Sequence, residues 1–525
     1  MKKIIRIRTI ILFLFCTSII TAQYDDTGKR GLYFSKKVYS GSDLPSLEKN
    51  KLKLPQPILE DNKELVELYW KAWESAFKHF KKPPKSSPFV SNYIDEAFSP
   101  SIFQWDSVFM IMFARYAHTI FPAIQSLDNF YSRQYENGYI CREIQEADGK
   151  DFVYEGRDNT INPPLFGWAE IETYKLTGDK SRFAIILSPL EKYAEWLEKY
   201  RKKENTKHGL YWQTGLGSGM DNSPRSGSAW ICMSSQMKIF YDNLAFISKE
   251  IGDDAKAKLY SSKAKEIGER INRLMWNEED GLYYDLDDNG NQVKVKTIAS
   301  FWPLLAGLCD VQKAEKMLAN LKDPKTFWRT IPFPSLAADD KNYKSQGEYW
   351  LGGVWAPTNV MVIKGLDKFS FDDNYGYSHA FREFATYATM QYLEALYKVY
   401  KQTGTIWENY SPETYMRGLP SQPNFVGWSG CGPIMLLIEN VIGIHADASK
   451  NEITWYLNRI DKNGIKNFKF GSVTTSLISQ KRSDVTSGYR LTIKSDKPYT
   501  LRVVNWINKT KTIEIKKGIN NIDVE

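Results

Sequence analysis

A mainly α-helical domain followed by a small β-domain of sandwich type is the fold this sequence predicts, on three observations. Apolar residues recur at three- and four-residue spacing from about residue 59 to 443. Tight connections alternate with long ones, and from about Asp447 the texture changes to short alternating runs. At 525 residues the chain exceeds one ordinary core, which suits a large domain with an accessory one.

Taken in order, the chain starts basic (Lys2, Lys3, Arg6, Arg8), runs apolar from Thr9 to Thr21 and offers Ala22 as a small residue before a cut. That is the pattern of a secretory signal peptide over residues 1–22, and it predicts a periplasmic or secreted protein. The apolar run falls short of the roughly 20 residues a membrane span requires, and no later stretch reaches that length. Residues 23–57 are polar and without period, and read as an extended N-terminal arm. Residues 58–445 read as the helical, catalytic domain. Its first helix covers about 59–81, with Leu65, Leu68, Trp70, Trp73 and Phe77 on one face. Further helices are predicted near 104–132, 164–178, 182–203, 228–251, 253–275, 298–307, 311–321, 353–366, 378–403 and 431–443. Gly178-Asp179 and Gly252-Asp253 make tight connections, whereas 133–163, 204–227, 322–352 and 404–430 are long loops. Helical hairpins with this asymmetry gather their long loops on one side, where binding residues concentrate. Residues 446–525 read as the C-terminal β-domain, its runs separated by Lys462-Asn-Gly464, Ser495-Asp496 and Lys517-Gly518.

Composition narrows the chemistry. Removing the signal peptide takes away four of the 70 basic residues, leaving 66 against 62 acidic ones and a formal charge of +4. Such a balance gives no reason to expect nucleic acid or an acidic membrane as partner. Cys141, Cys232, Cys309 and Cys431 lie far apart without metal-ligand spacing and read as single buried thiols, and five histidines include no HExxH pair. No metal or other cofactor is expected. Asp285-Leu-Asp-Asp-Asn289-Gly290 opens like a calcium loop, but Lys296 stands where the bidentate Glu belongs. A β-hairpin across the Asn-Gly turn is the better reading. Aromatics make up 14% of residues, including 16 Trp and 31 Tyr, flat faces that suit sugar rings as well as a helical core.

Two carboxylates stand out. Asp221 lies in Gly215-Leu-Gly-Ser-Gly-Met-Asp-Asn-Ser-Pro-Arg225, a glycine-rich loop whose open backbone admits a ligand, with Ser226 and Ser228 placed to cap the next helix. The blander reading is turn chemistry, the aspartate accepting local backbone hydrogen bonds. Glu408 lies in the last long loop among Trp407, Tyr410 and Pro412; alternatively it caps a turn there. Inverting cleavage of a glycosidic bond requires one protonated carboxyl group and one carboxylate, roughly 6.5 to 9.5 Å apart and free to be distant in sequence. Glu348, beside Tyr349-Trp350 in another long loop, is the other candidate for the base. In this scheme Asp221 stays protonated while Glu408 is ionised, so their surroundings must separate two ordinarily similar groups, with Asp221 the higher.

Six short motifs in order resemble those of glycoside hydrolase family 63, which is related to the family 37 trehalases. They are Gly138-Tyr-Ile-Cys-Arg-Glu143, Asn162-Pro-Pro164, Ser218-Gly-Met-Asp-Asn-Ser-Pro224, Tyr349-Trp350 with Val354-Trp355, Glu408-Asn-Tyr410 and Gly427-Trp-Ser429. The resemblance covers about residues 100 to 440. It implies an (α/α)6 barrel and a processing α-glucosidase or mannosylglycerate-hydrolase type of activity, with Asp221 as general acid and Glu408 as general base of an inverting mechanism. By the same resemblance Asp106 hydrogen-bonds the sugar being cleaved, and Trp105, Arg142, Glu143, Trp350, Trp355 and Trp428 bind substrate. The chain departs from the family in reading Tyr349-Trp-Leu-Gly-Gly353 where Tyr-Trp-Arg-Gly-Pro is common, and in carrying its β-domain at the C-terminal end. The expected activity is therefore a secreted, monomeric inverting glycoside hydrolase cleaving α-glucosidic or similar bonds in short oligosaccharides or small glycosides. A polysaccharide lyase on a helical toroid and a non-catalytic carbohydrate-binding protein are the alternatives. A lyase would want a Tyr or His base and a cationic groove.

Overall fold

A computed structural model describes residues 29–31, 34, 39, 41–96, 98–370 and 378–524. The signal-peptide reading of 1–22 and much of the predicted arm lie outside the described residues.

Most of the described chain up to residue 442 is helical, and its helices are of two kinds. Gln104–Ala114, Ile231–Glu250, Ala356–Ser370 and Gly432–Ile442 are buried over most or all of their length. Lys63–Lys78, Asp254–Leu274 and Val311–Lys322 bury one stripe and keep charged residues outside. Helices apolar all round belong inside and amphipathic ones outside, so the sequence pattern itself sorts them into an inner and an outer set. Tight hairpins join neighbours. Gly178 ends Phe166–Thr177 in a left-handed conformation before Phe183–Arg201. After Ile231–Glu250, Asp253 caps the next helix by accepting from the Lys256 amide at 3.0 Å.

The predicted 104–132 helix is divided. Gln104–Ala114 tightens into a 3-10 turn at Arg115–Ala117, and the chain resumes only at Ala123–Gln125 and Ser126–Ser132. Pro122 explains the break, because the residue before a proline is pushed out of helical conformation. The expected caps Ser226 and Ser228 do not cap: the next helix starts at Ile231 behind Trp230, while the Ser228 hydroxyl meets His208 Nε2 at 2.9 Å. At the calcium-like stretch, Asp285–Leu286 pairs with Gln292–Val293 as a hairpin, and Asp287 accepts from the amides of Asn289 and Asn291. The four described cysteines are free thiols, and only Cys309 is partly exposed.

The C-terminal part consists of two sheets. Ile444–Asp447, Glu452–Tyr456, Tyr499–Val504 and Thr510–Ile515 form the first, with a parallel pairing between its two middle strands. Asn463–Phe470, Val473–Ser479, Tyr489–Ser495 and Gly518–Val524 form the second, and Gln56–Leu59 from the start of the chain adds its edge strand, register Gln56 to Lys466. Alternate residues of Val473–Ser479 point inward, and Phe470 meets Tyr499 edge-on at 5.3 Å across the two sheets. The Trp455 indole donates to Ile442 O at 2.9 Å, and the Gly471 amide to Leu176 O at 2.8 Å, seating the sheets on the helices.

Candidate active site

All four long loops meet. Val354–Trp355 pairs with Asn409–Tyr410, Arg142 Nη1 donates to Leu216 O at 3.0 Å, and the Ser411 hydroxyl donates to Ser345 O at 3.0 Å. Between them lies a cavity of about 120 Å³ lined by Phe98, Phe103, Trp105, Asp106, Arg142, Asn162, Leu216, Gly219, Asp221, Tyr349, Trp350, Glu408 and Trp428.

Asp221 reaches the cavity by a sharp reversal. Gly215–Ser218 forms a single helical turn, its first amides capped by the Thr214 hydroxyl at 2.9 Å to Gly217 N. Gly219 then takes φ 73°, and a side chain there would also press on the Trp105 ring. At Gly215 a Cβ would stand 2.4 Å from the Asp221 carbonyl oxygen, so glycine is what lets the loop close on itself. Glu408 is held through its backbone. Its amide donates to Gln422 O at 3.0 Å, its carbonyl accepts from the Trp428 indole at 2.9 Å, and its Oε2 accepts from the Gln422 amide at 3.0 Å. Asp106 sits in the first turn of Gln104–Ala114, buried, with Oδ1 unmatched by any protein donor.

Of the predicted site residues, Trp105, Asp106, Arg142, Asp221, Trp350, Glu408 and Trp428 line the cavity, whereas Glu143 and Trp355 do not. Glu143 belongs to the strand Glu143–Gln145, paired with Ser101–Phe103, and its carboxylate lies 3.9 Å from the Arg142 guanidinium. Trp355 lies flat against Trp350 at 4.1 Å and supports that ring from outside the cavity. Arg142 lines the cavity while its neighbour Glu143 does not, because successive side chains of extended backbone face opposite ways. Glu348, the other candidate base, is exposed and absent from the lining. Phe98, Phe103, Leu216, Gly219, Asn162 and Tyr349 were not singled out. Leu216, Gly219, Asn162 and Tyr349 lie inside quoted stretches, and Phe103 directly precedes Gln104-Trp-Asp106, but nothing around Phe98 marks it; it is 44% exposed and stacks on Phe425 at 5.7 Å.

Burial raises all three carboxyl groups. Asp221 is pushed up to about 6, although Arg142 and a hydrogen bond from Tyr349 pull the other way. Glu408 is pushed up to about 7, opposed only by the Gln422 amide and reinforced by the charge of Asp221. Burial drives Asp106 well above the usual carboxylate range, with Glu408, Glu143 and Asp221 adding to it. Glu143, buried behind them, is raised to about 7. The two groups are raised together, to about 6 and about 7, and the expected wide separation with Asp221 the higher is absent. The physical reason is visible: Asp221 has a guanidinium and a phenol beside it, Glu408 a single backbone N–H.

Three carboxyl groups facing one small aromatic cavity can bind hydroxyls, activate water and transfer protons to oxygen. Among the described residues no group of three or more His, Cys, Asp or Glu stands ready to hold a metal ion. The model of the mannosylglycerate hydrolase MGH1-like glycoside hydrolase domain matches residues 99–239 and 229–419. The chain belongs to the MGH1-like glycoside hydrolases. It is a glycoside hydrolase, and the resemblance to family 63 holds; the lyase and non-catalytic alternatives fall away. An uncharacterized protein of Borreliella burgdorferi is 29% identical over 77% of this chain and 85% of its own length. A probable mannosyl-oligosaccharide glucosidase of Schizosaccharomyces pombe is 23% identical over 56% of this chain, which spans 39% of that protein. The GH63 mannosylglycerate hydrolase from Thermus thermophilus, solved in complex with glucose, superposes with a TM-score of 0.54 at 17% identity. It covers 70% of this chain and 99% of its own. That structural likeness supports a common helical fold.

Proposed function

We propose that this glycoside hydrolase is a secreted, monomeric inverting α-glycosidase on an (α/α)6 barrel, acting on the terminal residue of short α-glucosides. The observation that carries the reading is the meeting of Asp221 and Glu408, 187 positions apart, on one aromatic-walled cavity. Asp221 gives its proton to the glycosidic oxygen, Glu408 takes one from the attacking water, and the anomeric carbon inverts as the bond to the leaving group breaks. Asp106 holds a hydroxyl of the sugar. The cavity is small and walled by the rings of Phe98, Phe103, Trp105, Trp350 and Trp428, which favours one terminal sugar ring and cleavage from a chain end. The basic and apolar start of the chain supports export.

Because burial raises both carboxyl groups, a second reading of the same reaction exchanges their roles, with Glu408 donating the proton. Purified protein assayed on an α-linked oligosaccharide panel and on nitrophenyl α-glycosides tests the activity. The leaving-group dependence separates the two readings. Asp221→Asn should lose far more on sugar leaving groups than on aryl ones if Asp221 is the acid, and Glu408→Gln should show that pattern if the roles are exchanged.

A further inference from the structure

The segment Gly347 to Gly353 makes an uncommon turn. Glu348 and Tyr349 are consecutive residues with side chains, and both have positive φ, 32° and 68°. Such residues take left-handed conformations only when their surroundings enforce them, and these cluster where a side chain must be aimed. The enforcing contacts can be named. The Asn222 side chain brackets the turn, its Nδ2 donating to Glu348 O at 3.0 Å and its Oδ1 accepting from the Trp350 amide at 2.8 Å. The Tyr349 amide donates to Leu419 O at 3.1 Å, and the Tyr349 carbonyl accepts from Gly353 N at 3.1 Å and from the Trp355 indole at 3.3 Å. Asn222 is the residue directly after Asp221, so the loop that carries the carboxyl group also grips the turn that carries the phenol. Tyr349 lines the same cavity as Asp221, and its phenol is among the groups that pull the Asp221 carboxyl group down against burial.

We propose that Asn222 is a positioning residue for the reaction: by holding the strained Glu348-Tyr349 turn it keeps the Tyr349 hydroxyl on one oxygen of Asp221 and so aims the other at the glycosidic oxygen. A carboxylic acid can accept the phenol on one oxygen while the other carries the proton, so the contact orients a donor without consuming its proton. The inference rests on the reading of Asp221 as the proton donor.

The test is a pair of measurements on the full chain. Aspartate-carboxyl 13C resonances, with Asp221 assigned by its loss in Asp221→Asn, report its titration without any substrate. In Asn222→Ala the midpoint should move up by at least about half a pH unit, because a hydrogen bond to the ionised form is lost. Tyr349→Phe, which keeps the turn and removes only the hydroxyl, should move it the same way. On a sugar leaving group, Asn222→Ala should lower kcat about 10- to 100-fold with KM within about threefold, as misplacement of a reacting group does. Loss on an aryl glycoside should be smaller. Adding Glu348→Gly to Asn222→Ala should recover part of both the midpoint and kcat, since glycine accepts positive φ at the first of the two strained positions. An unmoved midpoint in Tyr349→Phe overturns the proposal, and so does a loss in Asn222→Ala that is equal on both substrates and unrelieved by Glu348→Gly. Should the unaltered protein cleave no glycoside, the reading of Asp221 as acid fails, while the titration still decides whether Asn222 and Tyr349 hold its carboxyl group.

Discussion

Glu408 and Glu439 are both glutamates with 5% or less of their surface exposed, yet their titration is displaced in opposite directions. Glu439 lies near a second, larger cavity of about 320 Å³, where the helices meet the first sheet. There Lys364 Nζ approaches it at 2.6 Å, Arg115 Nη2 at 2.5 Å, and the Tyr116 hydroxyl donates at 2.6 Å. Burial would push its carboxyl group up, but Lys364 and Arg115 outweigh that and hold it at about 2. Glu408 has no such cation, and burial leaves it at about 7. One glutamate is neutralised by partners and serves the fold. The other is left short of partners, which weakens the fold and keeps a proton exchangeable near neutral pH.

Breaking the pocket side should give the largest effect. Asp221→Asn and Glu408→Gln should each reduce turnover of an oligosaccharide about 10²- to 10⁴-fold while the far-ultraviolet circular dichroism stays that of the unaltered protein. On the other side, Glu439→Gln should lower the unfolding free energy by about 3 to 5 kcal/mol in denaturant titration, because Arg115 and Lys364 lose a buried partner.

A carboxyl group raised in the folded state contributes stability below its unfolded value and loses it as pH rises through the folded value. One that is lowered contributes above its unfolded value and loses it as pH falls. Glu408→Gln should therefore stabilise the protein by roughly 1 to 3 kcal/mol above about pH 7, with the gain vanishing toward pH 4; equal stability at both pH values would refute it. The Glu439 contribution should fade between about pH 4.5 and 2. Activity should follow a narrow bell in kcat/KM with limbs near pH 6 and 7, whichever of the two groups donates. The smallest effect belongs to Glu348→Gln. Its side chain is exposed and off the cavity, so turnover should change less than about twofold and stability by less than about 0.5 kcal/mol.

Helix positions were legible because apolar periodicity is a local property. Asp254–Leu274 and Ser378–Thr403 fall where the spacing predicts them, and even the error at 104–132 has a local mark in Pro122. Asp221 and Glu408 were legible through glycine-rich and aromatic surroundings and through ordered motifs. What stayed hidden depends on residues far apart in sequence. Gln56–Leu59 joins a sheet whose other strands begin about 400 residues later, and no local pattern names that partner. Glu143 falls outside the cavity that its neighbour Arg142 lines because successive side chains face opposite ways, and Trp355 lies behind the Trp350 ring, a stacking that only the fold brings about. How far Asp221 and Glu408 are raised is set by which cations and amides the fold places beside each buried carboxyl group. A sequence names titratable groups; only packing decides their partners, and with them the sign of each displacement.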